Sequence, residues 1–192
     1  CIKAINASFT SVMIDASNYE LSKNIEITKK VVDYAHKYNV SVEAEIGNIG
    51  GTEDNINCKN NCATKQDSVS LIKNTNVDSL APAIGNMHGI YKVKPNLNFK
   101  TIKEISEETN LPLVLHGSSN LTDEDIKKSI ECGICKININ TDLQIAWSKA
   151  VRQYLEKNKN AYDPRKIISS GEFNIKKYIK DKLQLLGNSN RL

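Results

Sequence analysis

The chain has 192 residues, 40% of them hydrophobic, enough for one domain with a buried core. Its formal net charge of +4 arises from 26 basic and 22 acidic residues that are interspersed, too small and too scattered a balance to argue for nucleic acid or a membrane surface. No apolar run is as long as a membrane span and nothing at the start reads as a signal peptide, so a soluble, cytoplasmic protein that partners neither nucleic acid nor membrane is expected.

In chain order, strands and helices alternate. Residues 1–7 resemble the tail of a helix, and FTSVMID (9–15) is a strand rich in β-branched residues that ends in an acid. In residues 24–37, Ile27, Val31, Val32 and Ala35 have the spacing of one helical face. SVEAEIG (41–47) alternates strictly, placing Glu43 and Glu45 on one face of a strand. Residues 48–64 are polar and too long for a simple connector, which marks a functional or disordered loop. A short helix at 68–74 leads to a small-residue strand, SLAPAIGNMHG (79–89), that ends in His88-Gly89. A helix over 98–109 precedes Leu113-Val114-Leu115, an all-apolar run opened by Pro112 and closed by Gly117, as expected of a parallel strand buried on both faces.

His116 therefore stands where a strand stops. In a parallel α/β fold that carboxyl end is where ligands bind, and the Gly117-Ser118-Ser119-Asn120 loop can bring backbone N–H groups to an anion. Thr122 is a good N-cap for a helix over 123–132, with Asp123, Glu124 and Asp125 in its first turn and Gly133 closing it. KININT (136–141) is predicted as the last strand, followed by a long helix over 143–157 that carries Trp147, the chain's one tryptophan. After the break at Asp163-Pro164-Arg165, a basic amphipathic helix over 173–186 reads as a solvated face opposite Tyr178, Ile179 and Leu183. The five cysteines are an odd number, so a disulfide framework is not expected; Cys132 and Cys135 lack the second CxxC of a typical zinc site.

Five strands separated by helices form consecutive right-handed βαβ units and hence a parallel sheet, either a doubly wound layer or part of a barrel. Polar residues near most strand ends and the absence of a Gly-x-Gly-x-x-Gly fingerprint favour the barrel. Each candidate residue also has a plainer explanation. A histidine at a strand end is often a satisfied polar residue, Glu45 and Glu53 alone would be solvated or paired acids, and Asn138 and Asn140 would satisfy buried backbone.

FTSVMIDAS, SVEAEIGNIGGTED, AIGNMHGIYK, PLVLHGSSN, KININTDLQ and YDPR together resemble, in order and along the whole chain, the zinc-dependent class II fructose- and tagatose-bisphosphate aldolases. The resemblance implies an α/β fold, the (β/α)8 TIM barrel, here a partial barrel with about five of the eight strands plus C-terminal helices. Residues 1–192 then form one domain, with 162–187 as a helical extension. It implies reversible cleavage of a phosphorylated sugar, a ketose 1,6-bisphosphate, to dihydroxyacetone phosphate and glyceraldehyde 3-phosphate. The cofactor implied is zinc, with a monovalent cation in addition, and the assembly a homodimer or larger. Its metal ligands fall on His88 and His116, with Glu45 at an alternative metal position. Glu53 takes the part of the mobile-loop proton carrier, with Gly50-Gly51 as hinge. Gly89, Gly117, Ser118, Ser119, Asn138, Asn140 and Thr141 match the segments that hold the phosphate and enediolate, and Arg165 matches an arginine that reaches a neighbouring subunit's site.

The sequence departs from the family's pattern at Ser118 and Asn120, where glycines are usual, and at Thr52 and Asn18. A left-handed backbone at Ser118 would cost about 1 kcal/mol and loosen the phosphate cradle. The family's Asp-His pair, which supplies the alcohol-side acid and a third zinc histidine, has no counterpart here, and His36 is expected on the opposite face of the barrel. Two functions follow: the C-terminal portion of a working aldolase, or a truncated, non-catalytic remnant that binds phosphate or another subunit.

Overall fold

The computed structural model describes residues 1–53, 56–58, 62–89, 95–119 and 121–188. In chain order the elements are α1 (Ile2–Asn6), β1 (Ser11–Ile14), α2 (Leu21–Ala35), β2 (Ser41–Ile46), β3 (Gly50–Glu53), β4 (Ile56–Cys58), α3 (Lys65–Thr75), β5 (Ser79–Pro82), β6 (Met87–His88), α4 (Phe99–Thr109), β7 (Leu113–Leu115), α5 (Asp123–Glu131), β8 (Ile134–Ile137), α6 (Thr141–Lys157), α7 (Pro164–Ser169) and α8 (Glu172–Leu185). Five strands form a parallel sheet in the order β1-β2-β5-β7-β8, each joined to the next through a helix.

Local chemistry sets the ends of these helices. Thr64, Asn98 and Thr122 accept hydrogen bonds from the N–H groups of Asp67, Thr101 and Asp125, the last being the expected cap of α5. Asn76 and Asn110 end α3 and α4 in the left-handed conformation, and Asn39 does the same after the 3-10 turn that extends α2. Asparagine tolerates that conformation, so each chain reverses sharply into the next strand.

On β2 the expected alternation holds, yet both faces are covered. Val42, Ala44 and Ile46 belong to the main apolar core, with Val32 and Ala35 of α2 and Leu71 of α3. Glu43 and Glu45 point the other way and are also buried. Lys136 Nζ on β8 lies 2.6 Å from Glu43 Oε2 on β2, although β5 and β7 stand between those strands. Three strand spacings in a flat sheet would be roughly 14 Å. The sheet is therefore curved so that its far strands face each other across an interior, which makes it a barrel wall rather than a doubly wound layer. Among the described residues the wall is not closed, and β1 and β8 are its edges. The burial shows it: β7 is buried throughout, whereas Cys135 and Lys136 on β8 and Ser11 and Met13 on β1 are exposed.

Four local expectations are corrected. The segment 79–89 is not one strand: β5 ends at Pro82, and β6 belongs to a second sheet of order β4-β3-β6. The polar stretch 48–64 is not a plain loop but carries the β3–β4 hairpin of that sheet. The last strand runs over 134–137 rather than 136–141, because Asn140 already stands at the N-cap position of α6, which begins at Thr141. A further short helix, α7, follows Asp163, which caps it through the Arg165 N–H.

Candidate active site

At the carboxyl ends of β1, β2, β7 and β8 lies a cleft of about 550 Å³. It is lined by Met13, Asp15 and Glu45, by His88, Gly89, His116, Gly117 and Ser119, and by residues 138–141 with Gln144. This is the end of a parallel barrel at which ligands bind.

His116 leaves β7 directly into the cleft wall. Its neighbour Gly117 has φ 57°, and a Cβ there would collide with the Met87 carbonyl, so only glycine lets the end of β7 approach β6 this closely. That approach brings the His88 ring to 5.9 Å from the His116 ring, centroid to centroid. His88 itself is positioned by the small sheet, where it pairs with Gly51 of β3. Asn86, fully buried, ties the two segments: its Nδ2 donates to the His116 carbonyl at 2.9 Å and its Oδ1 accepts from the Ile84 N–H.

Both nitrogens of His116 face carboxylates. Nε2 is 2.8 Å from Glu43 Oε1, and Nδ1 is 3.2 Å from Glu45 Oε2. Burial alone would lower the pKa of this imidazole, but the hydrogen bonds and charges of the two glutamates outweigh it and raise it to about 9. Burial likewise pushes Glu43 upward, while the hydrogen bonds from His116 and Lys136 hold it below the ordinary carboxylate range. Glu45 is further fixed by Ser17, whose Oγ donates to it at 3.4 Å, and by Asn24, whose Nδ2 donates to its backbone carbonyl.

The remaining candidates divide clearly. Gly89, Gly117, Ser119, Asn138, Asn140 and Thr141 line the cleft with His88, His116 and Glu45. Ser118 does not line it; its hydroxyl donates to the Asn138 carbonyl at 2.6 Å and ties the β7 loop to β8. Nor does Ser118 have a positive φ, so the expected strain at this departure is absent. Arg165 is not brought to the cleft: its side chain is 88% exposed and forks onto Asp163 through two 3.0 Å contacts. Glu53 ends β3, and its side chain lies outside the described residues, as does Asn120. His36 pairs with Asp78, just before β5 begins, at the end of the barrel opposite the cleft, as expected.

Among the described residues no three His, Cys, Asp or Glu side chains converge as a ready metal cage, so the expected set His88, His116 and Glu45 is not assembled as ligands. Glu45 instead hydrogen-bonds His116. The donor types nevertheless suit a tetrahedral ion, with the two rings standing wider apart than on a shared metal. Two ligands at 2.0–2.1 Å on zinc stand roughly 3.3 Å apart, with the centroids of two imidazoles roughly 5 Å apart. The observed separations are 3.2 Å for Nδ1 to the Glu45 oxygen and 5.9 Å for the rings.

Alternation puts Glu43 on the same face as Glu45, but no local pattern assigns Glu43 to the site. Lys136, Asn86 and Gln144 carry no sequence signal of their own, and Asp15 reads only as an acid closing a strand. The position of Asp15, one residue past β1 as His116 is one past β7, was a usable signal. Lys136 and Glu43 are 93 positions apart, and nothing local announces their contact.

Fold and cleft together define a barrel protein with a ligand site at the carboxyl ends of its strands. Residues 1–191 match the family described as fructose-bisphosphate aldolase class-II. A fructose-bisphosphate aldolase of Staphylococcus epidermidis is 48% identical over 192 residues, all of this chain and 67% of that protein. The YdjI aldolase of Escherichia coli K12 superposes with a TM-score of 0.81 at 32% identity, covering 99% of this chain and 66% of its own. The fructose-bisphosphate aldolase of Campylobacter jejuni does so with 0.76 at 27% identity, covering 93% and 61%. The chain belongs to the class II fructose-bisphosphate aldolase family and spans about two thirds of the length of the curated relatives it matches.

Proposed function

We propose that the chain serves a metal-dependent aldolase that reversibly cleaves fructose 1,6-bisphosphate, or its tagatose epimer, to dihydroxyacetone phosphate and glyceraldehyde 3-phosphate. The observation that carries this proposal is that His88, His116 and Glu45 line one wall of a cleft whose other wall is made of small hydrogen-bonding residues. His88 and His116 would hold the metal, and Glu45 would exchange its hydrogen bond to Nδ1 for the ion. Zinc bound there supplies a Lewis acid to the ketone oxygen.

The chain's own residues account for the rest. Asn138 projects from the end of β8 and donates a hydrogen bond to the enediolate oxygen as charge develops there. Backbone N–H groups around Gly89 and Gly117, with the Ser119 hydroxyl, hold the phosphate, while Asn140 and Thr141 open α6 toward the same space. Holding the phosphate keeps the reacting carbon in place. Glu53 carries the proton between that carbon and solvent. Arg165, extended into solvent on α7, binds the second phosphate in the cleft of a neighbouring subunit, which requires a dimer or larger assembly.

The test is His88→Ala and His116→Ala in the full-length protein, with zinc content and cleavage measured together. Each variant is expected to lose bound zinc and at least about 10²-fold in activity, because the Lewis acid is worth several kcal/mol. Full activity with stoichiometric zinc in either variant would remove the site. Wild-type protein that binds phosphate but neither zinc nor the sugar bisphosphate would favour a non-catalytic remnant.

A further inference from the structure

Glu43 is 6% exposed, does not line the cleft, and has no role in the chemistry above. A buried carboxylate needs compensation, and it has two partners: His116 Nε2 at 2.8 Å on Oε1 and Lys136 Nζ at 2.6 Å on Oε2. Glu45, two residues on along the same face of β2, does line the cleft and sits against the other ring nitrogen. The imidazole is thus held edge to edge between a carboxylate behind it and a carboxylate at the cleft.

We propose that Glu43, clamped by Lys136, is a positioning residue that makes His116 donate Nε2–H inward and present Nδ1 to the metal. The inference rests on His116 being a metal ligand. A histidine that ligates through one nitrogen needs the other fixed as a donor, and a carboxylate in that place sets the tautomer, locks the ring and raises the basicity of the ligating atom. Lys136 contributes by fixing the second oxygen, so that the carboxylate plane cannot turn away from the ring. Asn86 completes the restraint by holding the His116 carbonyl, leaving backbone and ring pinned independently.

The test uses full-length protein with ¹⁵N-labelled histidine, observed with and without zinc, and zinc affinity measured by competition with a chromophoric chelator. In wild type, zinc is expected to shift the His116 Nδ1 resonance while Nε2 keeps its proton. In Glu43→Gln, zinc binding is expected to weaken roughly ten- to a hundredfold. A zinc affinity within twofold of wild type in Glu43→Gln would overturn the positioning role, and a zinc-bound Nε2 would overturn the assigned geometry while leaving His116 a ligand. If neither nitrogen responds to saturating zinc, the metal reading of His116 fails and this inference with it. Should Glu43→Gln not fold, the wild-type spectra alone decide between Nδ1 and Nε2.

Discussion

At the scale of single residues, the site is governed by one imidazole between two acids. In the metal-free protein His116 keeps its proton up to about pH 9, against an ordinary value of 6.5. Its contribution to stability is therefore complete below pH 6.5 and is lost as pH rises through about 9. The depressed Glu43 contributes in the opposite sense, fully above the ordinary 4.5 and lost as pH falls through its lower folded value. Chelator-treated protein should accordingly have its highest urea midpoint between those two ordinary values, with a decline toward alkaline pH that His116→Asn removes. A midpoint as flat as the variant's between pH 6.5 and 9 would contradict the ion pairs. Glu53 offers a second test. Glu53→Gln should leave zinc and substrate binding nearly intact while slowing exchange of the dihydroxyacetone phosphate C–H proton with solvent by about 10²-fold or more, followed by NMR in D₂O. Exchange at the wild-type rate would assign that proton to another group. His116 and Glu45 were legible because strand ends and strict alternation are local signals. Glu43 was half legible: its face could be read from the alternation, its partner on β8 could not.

At the scale of elements, apolar periodicity located α2, and a cap located α5, within a few residues, since the groups that stop a helix are neighbours of the groups that form it. The β3–β4 hairpin was illegible for the converse reason. Its residues are mostly polar or glycine, and β3 has its parallel partner, β6, some 37 residues downstream, from Gly50 to Met87. At the C-terminus, α8 packs Leu185 against the apolar core and makes polar contacts to α6 and α5. Tyr178 Oη donates to Asp142 Oδ2 at 2.6 Å, and Lys182 Nζ lies 3.2 Å from Asp123 Oδ1 on α5. Burial and the bond to Asp142 both push the Tyr178 phenol above its ordinary value, so it remains a donor throughout the neutral range. Because Asp142 lies in the first turn of α6, beside Thr141 in the cleft wall, this bond also anchors that end of the helix. Tyr178→Phe should cost about 1 kcal/mol, the usual net worth of such a bond, read as a lower urea midpoint with faster proteolysis within α8. An unchanged midpoint and digestion pattern would mean that apolar contacts alone hold the helix.

For the whole molecule, the curved sheet poses a question about its own edges. β1 presents Phe9 just before it and Met13 within it, 60% and 39% exposed, and the backbone groups on its outer side have no strand partner among the described residues. β8 is similarly open. Parallel strands are seldom stable at a bare edge, because both faces and the ladder itself normally require cover, and an uncovered edge pairs with whatever chain it meets. Relatives such as the Staphylococcus epidermidis protein extend beyond the two thirds matched here, and in a barrel further strands would lie between β8 and β1. The 192-residue chain made alone should therefore associate rather than remain monomeric, visible as a concentration-dependent mass in sedimentation or light scattering. It should also cleave poorly, since its relatives carry a further third of their length that can furnish cleft residues, and loss of a general acid alone typically costs 10²–10⁴-fold. Supplying strands that cover β1 and β8, covalently or as a separate peptide, should restore a defined oligomer, zinc binding and cleavage in the same titration. A monodisperse monomer of these 192 residues that cleaves fructose 1,6-bisphosphate would show that the curved five-stranded wall is self-sufficient, and that the acid comes from within it.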